Sequence, residues 1–403
     1  MKLLSLVATL SLALLTSAAP TAQPDVVPNQ YIVTLKPSAN LAQFSRALQS
    51  EIAREREAIS TAASTGTAVP KFGHQVSIGS SFKAVVGVFT QDMVDKLKAN
   101  GQVAHVEPDG IVRAFETTQL NPPSWGLARI SRRPGGNQGH YTFAADKQGE
   151  GVDVYVIDTG VDVYHPEFIG MDTRRGKNVF RSETQWPNTD ENGHGTHVAG
   201  TVAGVRHGVA KRARVNSVKV LDKNGKGTWS GLIRGLEFAA EEIRKSGKTA
   251  VCNMSLGGGV NEAMDAAVAS LFEAGCVVVK AAGNEQQDAC NVSPARAPQG
   301  LTVAALAANG QSIDTSYSNF GRCVNIAAPG SRIRSAWLNR SYDTIDGTSM
   351  AAPHVAGAAA LILGEEPWLK PQEVVDRILS RASQGVITSG LNGSPNRVVY
   401  VGK

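Results

Sequence analysis

The chain has 403 residues, 42% hydrophobic and 19% charged, with 41 glycines and a net charge of +5. That is enough apolar material for a sizeable core over two or three domains, and too little charge for a disordered chain. Lys and Arg are scattered, with no run longer than a pair such as Arg132-Arg133 or Arg174-Arg175, so the basic balance reads as a solvated surface rather than a nucleic-acid or membrane footprint.

Lys2, an apolar run from Leu3 to Leu15 and the small residues to Ala19 read as a secretory leader, residues 1–18, too short to span a bilayer. Residues 19–116 form a first folded unit. Tyr31-Ile32-Val33-Thr34-Leu35 alternates as a strand does, Leu41, Phe44, Leu48 and Ile52 repeat at helical spacing, and Phe82–Phe89 and Val103–Glu107 read as further strands. This small α+β unit carries no catalytic constellation.

Residues 117–403 alternate short β-branched runs, such as Val152–Ile157, Val215–Val220 and Cys276–Val279, with helical stretches such as Gly231–Lys245. That pattern predicts an α/β unit whose mostly parallel sheet is covered on both faces. Ligands of such sheets sit beyond the carboxyl ends of the strands. Asp158 ends the strand Tyr155-Val156-Ile157. His194 opens a small-residue helix in Asn192-Gly193-His194-Gly195-Thr196-His197, and Ser349 opens another in Gly347-Thr348-Ser349-Met350-Ala351-Ala352-Pro353-His354. A serine hydroxyl needs a neighbouring base to become a nucleophile, histidine suits that task, and a buried carboxylate fixes its tautomer. Each residue alone reads more readily as a cap or turn; together, with their glycines, they point to nucleophilic catalysis. Zinc on His194 and His197 is disfavoured by the lack of an H-E-x-x-H motif. A lipase-type elbow is disfavoured because position 351 is Ala.

The motifs Val156-Ile157-Asp158-Thr159-Gly160, Gly193–Thr201 and Gly347–Gly357, in that order, resemble those of the subtilisin-like serine proteases of the proteinase K, cerevisin and aqualysin branch. The resemblance implies a three-layer α/β fold around a central, mostly parallel sheet of about seven strands. It is preceded by an inhibitory propeptide matching residues 19–116, with processing between Phe115 and Thr118. It implies a secreted, self-processed endopeptidase acting through Asp158, His194 and Ser349, with vacuolar retention as the alternative location. Asn284, in Ala281-Ala282-Gly283-Asn284, would serve the oxyanion hole. Gly225, Gly227 and Trp229, with Ser255, Leu256, Gly257 and Gly283, would flank an extended peptide. His165, His197 and His354 read as structural. The expected partners are protein or peptide substrates and the chain's own propeptide, with no nucleic acid or membrane, and the protein is expected as a monomer. A catalytically inert binding protein of the same fold is the alternative, disfavoured because all three triad residues and Asn284 are present.

Catalysis is expected to need no cofactor. The branch commonly holds a structural calcium through two carbonyls, here near Pro298 and Gly300, and an Asp; position 325 is Asn, which weakens that site. Asn291, Asn339 and Asn392 are candidate glycan acceptors, whereas Asn253 falls in an expected buried strand. The resemblance also implies a Cys290–Cys323 disulfide. With Ser255 and Asn284 lining the same cleft, Cys252 and Cys276 would be offset by about five residues along neighbouring strands, or roughly 16 Å, too far for a bridge, and are expected as free buried thiols.

Overall fold

The computed structural model describes residues 26–61, 68–79, 81–110, 116–133, 139–144, 147–180 and 189–402. The leader and Phe115 lie outside these residues. The chain divides between Ala114 and Phe115 into two compact units.

In the first unit, four antiparallel strands run in the order Lys71–Ile78, Phe82–Val88, Val26–Leu35, Val103–Gly110, with helices Leu41–Thr61 and Gln91–Ala99. Val33 and Leu35, two apart on their strand, pack with Phe44, Leu48 and Ile52, four apart on their helix. The two periodicities meet in one core.

The second unit is built on a nine-stranded sheet. Its order is Ser383–Gln384, Arg397–Val398, Ile326–Pro329, Leu301–Leu306, Cys276–Ala281, Ala250–Met254, Asp153–Asp158, Arg214–Lys219, Arg174–Asn178. All pairings are parallel except the one between the first two, which are two-residue pieces added at one edge of seven longer strands. Alternate side chains leave opposite faces. Val154, Val156, Val277 and Val279 pack on one side with residues of helices His194–Ala203 and Thr348–Glu365. Tyr155, Ile157, Val278 and Met254 pack on the other with residues of Trp229–Ser246 and Glu262–Glu273. These strands are mostly apolar because both faces are covered, with buried polar exceptions such as Asn253 and Lys280.

The register corrects one expectation. Ala250 pairs with Cys276 and Cys252 with Val278. The two cysteines are therefore offset by two residues rather than five, on the same face, and they form a disulfide with Cα atoms 6.1 Å apart. The larger offset assumed that Ser255 and Asn284 stand level. Ser255 directly follows its strand, while Asn284 lies three residues past the end of the neighbouring one, at Ala281. Cys290 and Cys323 form the second disulfide, with Cα atoms 5.3 Å apart. None of the four cysteines is a free thiol.

Candidate active site

Asp158 is the last residue of its strand and is fully buried. Its Oδ1 accepts from His194 Nδ1 at 2.7 Å and from the Thr159 N–H at 2.7 Å. Burial alone would lower the His194 pKa, but the charge and hydrogen bond of Asp158, with Asp190 adding, outweigh it, so the pKa lies above the usual value. The bond to Nδ1 leaves Nε2 as the free ring nitrogen.

Residues that the sequence reading missed position His194. The Asp190 carboxylate accepts from the N–H groups of Asn192, Gly193 and Thr196 and from the hydroxyls of Thr159 and Thr196, at 2.7–2.9 Å. It gathers the otherwise orphaned donors at the start of the His194 helix. Thr159 Oγ1 also accepts from Gly195 N at 2.9 Å, joining the Asp158 and His194 loops. Lys219 Nζ donates to the Thr159 and Leu221 carbonyls and pairs with Glu191 at 3.0 Å. The signal for Asp190 was an acidic residue just ahead of a small-residue helix, a helix-start pattern. At Gly195, a Cβ would fall 2.1 Å from the Gly160 carbonyl oxygen, so only glycine permits this approach.

His197 and His354 are fully buried, and burial pulls their pKa values down to about 3 and about 4. Nε2 of His197 donates to the Ile333 carbonyl at 3.0 Å, and Nδ1 of His354 to that of Met350 at 2.8 Å. His165 is equally buried, with Nε2 on the Ser341 carbonyl and Nδ1 accepting from Glu167 N.

Ser349 sits in the first turn of the helix Thr348–Glu365. Its hydroxyl donates to the Ser255 carbonyl at 3.2 Å, and the Ser255 hydroxyl donates to the Ser349 carbonyl at 2.8 Å. Among the described residues no hydrogen bond joins Ser349 to His194. Such bonds are often unmade without substrate. Asn284 Oδ1 accepts from the N–H and hydroxyl of Thr348 at 2.9 and 2.8 Å, which fixes the amide and turns Nδ2 away from that contact. A Cβ placed on Gly347 (φ +152°) would lie 3.6 Å from both Asn284 Nδ2 and the Ser349 nitrogen. Two donors thus border one small space, and only glycine leaves it open. Asn319, another residue missed from sequence, ties the Asn284 loop: its Nδ2 donates to the Ala282 carbonyl and the Glu285 carboxylate, and its Oδ1 accepts from Glu285 N and Gln287 N. Gly283 lies in this loop, its N–H on Thr348 Oγ1 at 3.1 Å.

His194, Gly225, Gly227, Trp229, Ser255, Leu256 and Gly257 line one open cleft of about 900 Å³. A Cβ on Gly227 would meet the Val220 carbonyl oxygen at 2.4 Å, and one on Gly258 would meet the Trp229 ring at 2.9 Å. The indole is therefore wedged against the second cleft segment, between the two glycine-rich edges.

Residues 149–400 match the family described as "Subtilase family", and residues 30–115 match "Peptidase inhibitor I9". The chain belongs to the subtilase family. It is 39% identical to an extracellular serine proteinase of Thermus sp., covering 94% of this chain and 90% of that one. It is 39% identical to subtilisin-like protease 3 of Arthroderma benhamiae, over 94% and 92% of the two chains. Cerevisin of Saccharomyces cerevisiae is 37% identical, over 95% of this chain and 65% of its own length. A crystal structure of a cold-adapted subtilisin-like serine proteinase superposes with a TM-score of 0.64 at 44% identity, covering 69% of this chain and 97% of that one. This subtilase is a serine endopeptidase with protein substrates and an inhibitory propeptide, and the inert alternative finds no support. No helix among the described residues is long and apolar enough to cross a membrane.

The residues at the implied calcium site do not fit that ion. Asn325 is neutral, and its Oδ1 accepts from Thr302 N at 2.7 Å. The fully buried Lys280 amine already lies against the adjoining loop, donating to the Ala297 carbonyl and, at 2.8 Å, to that of Gln299. Burial pushes the Lys280 pKa down to about 7; the neutral amine still has a proton for each carbonyl. Asn291, Asn339 and Asn392 are exposed, and Asn253 is fully buried.

Proposed function

We propose that residues 117–403 form the mature form of a secreted subtilase in which Ser349, His194 and Asp158 hydrolyse peptide bonds through an acyl-enzyme. The observation that carries this reading is the 2.7 Å bond from buried Asp158 to His194 Nδ1, at the head of a cleft whose wall, Ser255, holds Ser349. Ser349 Oγ leaves Ser255, attacks the substrate carbonyl carbon and gives its proton to His194 Nε2. The Ser349 N–H and Asn284 Nδ2 hold the resulting oxyanion. As the C–N bond breaks, His194 returns the proton to the departing amine, and water then releases the acyl group by the same steps in reverse. Asp158 stays ionised and stabilises the imidazolium. The peptide lies extended between 225–229 and 255–259, using backbone hydrogen bonds on both sides.

In this reading residues 19–116 are the inhibitory propeptide, cut by the enzyme itself between Phe115 and Thr118. The mature protein is a monomer, glycosylated at Asn291, Asn339 or Asn392. Catalysis uses no metal, and Lys280 does for its loop what calcium does elsewhere. Export to the medium is favoured over a vacuole by the extracellular Thermus relative. The test is casein hydrolysis by purified wild type and Ser349→Ala. Loss of hydrolysis with an unchanged circular dichroism spectrum is expected, and wild-type rates in the variant would overturn the assignment. Sequencing the N-terminus of the secreted protein checks processing, and a start near Ala19 would refute it.

A further inference from the structure

A second cavity of about 880 Å³, which shares no lining residue with the cleft, is walled by the helix Trp125–Ile130, the residues after it, the loop 308–311 and the turn 385–388. Three arginines line it, Arg129, Arg132 and Arg133, and no Asp or Glu does. Arg129 is only 7% exposed. Its Nε donates to the Gly310 carbonyl at 2.7 Å, and neither of its terminal amino groups has an acceptor among the described residues. Burial, and then the neighbouring Arg132 charge, pull its pKa below the usual value, as expected of a cation facing another cation. Arg133 is partly engaged elsewhere: its guanidinium lies 4.4 Å over the Tyr400 ring and donates to the Arg381 carbonyl at 3.4 Å. Arg132 has no ion pair among the described residues.

A largely buried cation without a counter-charge is unfavourable, and buried arginines are ordinarily paired. The missing charge is not supplied by the wall of this cavity. We propose that the cavity is a binding site for a small free oxyanion of the phosphate or sulfate class, held by the guanidinium forks of Arg129 and Arg132. Such forks present paired N–H donors that match the oxygens of a phosphate. The Gln311 side-chain amide, which makes no hydrogen bond of its own among the described residues, adds a neutral donor on the same wall. The bound anion would join the 125–130 helix to the loops at 308–311 and 385–388, and so add to the stability of the folded state in proportion to its concentration.

Isothermal titration of inorganic phosphate into the purified protein, inactivated with a sulfonyl fluoride and held at constant ionic strength, tests this. One site per chain is expected, with a dissociation constant in the low millimolar range or below. Arg132→Gln, a change at a half-exposed position, should weaken binding at least about tenfold, the equivalent of about 1.4 kcal/mol. Arg132→Glu should abolish binding and raise Tm in phosphate-free buffer, because the carboxylate supplies the missing charge inside the cavity. The proposal fails if no heat is detected up to about fifty millimolar phosphate. It also fails if the Arg132 variants bind as wild type does, since that binding would lie elsewhere.

Discussion

The Ser255 carbonyl oxygen holds the Ser349 hydroxyl at 3.2 Å, and the Ser255 hydroxyl returns a 2.8 Å hydrogen bond to the Ser349 carbonyl. A residue of the substrate-flanking segment and the proposed nucleophile are thus one hydrogen-bonded unit. Displacement of one by an incoming peptide is felt directly by the other.

The amide of Asn284 is anchored through its oxygen on Thr348, so its nitrogen is the part left to act. Asn284→Ala should lower kcat roughly 10²–10³-fold with little change in KM, the pattern of an interaction made only in the transition state. Thr348→Val removes one of the two anchors and should cost less than Asn284→Ala. Steady-state kinetics on a peptide anilide checks both, and an unchanged kcat in Asn284→Ala would remove that residue from the oxyanion hole.

The pH dependence follows from three histidines with opposite shifts. His194 must be neutral to accept a proton, and Asp158 raises its pKa above 6.5, so kcat/KM should rise with pH through a midpoint above that value. Asp158→Asn should move the midpoint down while lowering kcat by about 10⁴. For stability the signs differ. The raised His194 pKa contributes stability that is present below about 6.5 and lost as pH rises through the folded value. The depressed values of His197 and His354 contribute stability present above about 6.5 and lost as pH falls through about 3 and about 4, respectively. Urea unfolding of an inactivated sample between pH 3 and 7 should therefore show a steepening loss on the acid side, reduced in His354→Gln.

All four cysteines are paired, so titration of the denatured, unreduced protein should find no free thiol. Peptide mapping should join Cys252 to Cys276 and Cys290 to Cys323. The second bridge closes a loop of 33 residues just after the Asn284 segment. On the chain-entropy model, Cys290→Ser with Cys323→Ser should cost roughly 3–4 kcal/mol. Two thiols in the wild type would restore the reading in which Cys252 and Cys276 are unlinked.

Chelation gives a fourth test. With Asn325 engaged by Thr302 and Lys280 holding the neighbouring carbonyls, EDTA should leave Tm unchanged to within about 2 °C, far less than the shift a saturating structural ion confers. Lys280→Met should destabilise by about 1–3 kcal/mol, because one buried and one part-buried carbonyl lose their donor. A large fall in Tm on adding EDTA would mean that calcium binds.

Asp158, His194, Ser349, Asn284 and the cleft glycines stood out in the sequence as candidates because each sits at a junction of strand or helix with loop, where residue type and chain position carry the same information. Asp190, Thr159 and Asn319 were not, because their part is to bind backbone N–H groups from segments distant in sequence. Only the folded chain brings Asn319 to the loop at 282–287. The Cys252–Cys276 pair was misjudged for a related reason. Register between parallel strands is set by the whole sheet, and counting back from two loop residues misjudged where each strand stops. The alternation of short β-branched runs with helical stretches gave the layered architecture directly, since strands covered on both faces are mostly apolar.

The contact between Gly195 and Gly160 sets the gauge of the site. The 2.7 Å spacing of Asp158 and His194 depends on two backbones lying so close that a methyl group at 195 would stand 2.1 Å from a carbonyl oxygen. The spacing that orients the His194 ring is therefore fixed by an atom the chain lacks. Even Gly195→Ala, the smallest substitution open to that position, should push apart the Asp158 carboxylate and the His194 imidazole while leaving both chemically intact.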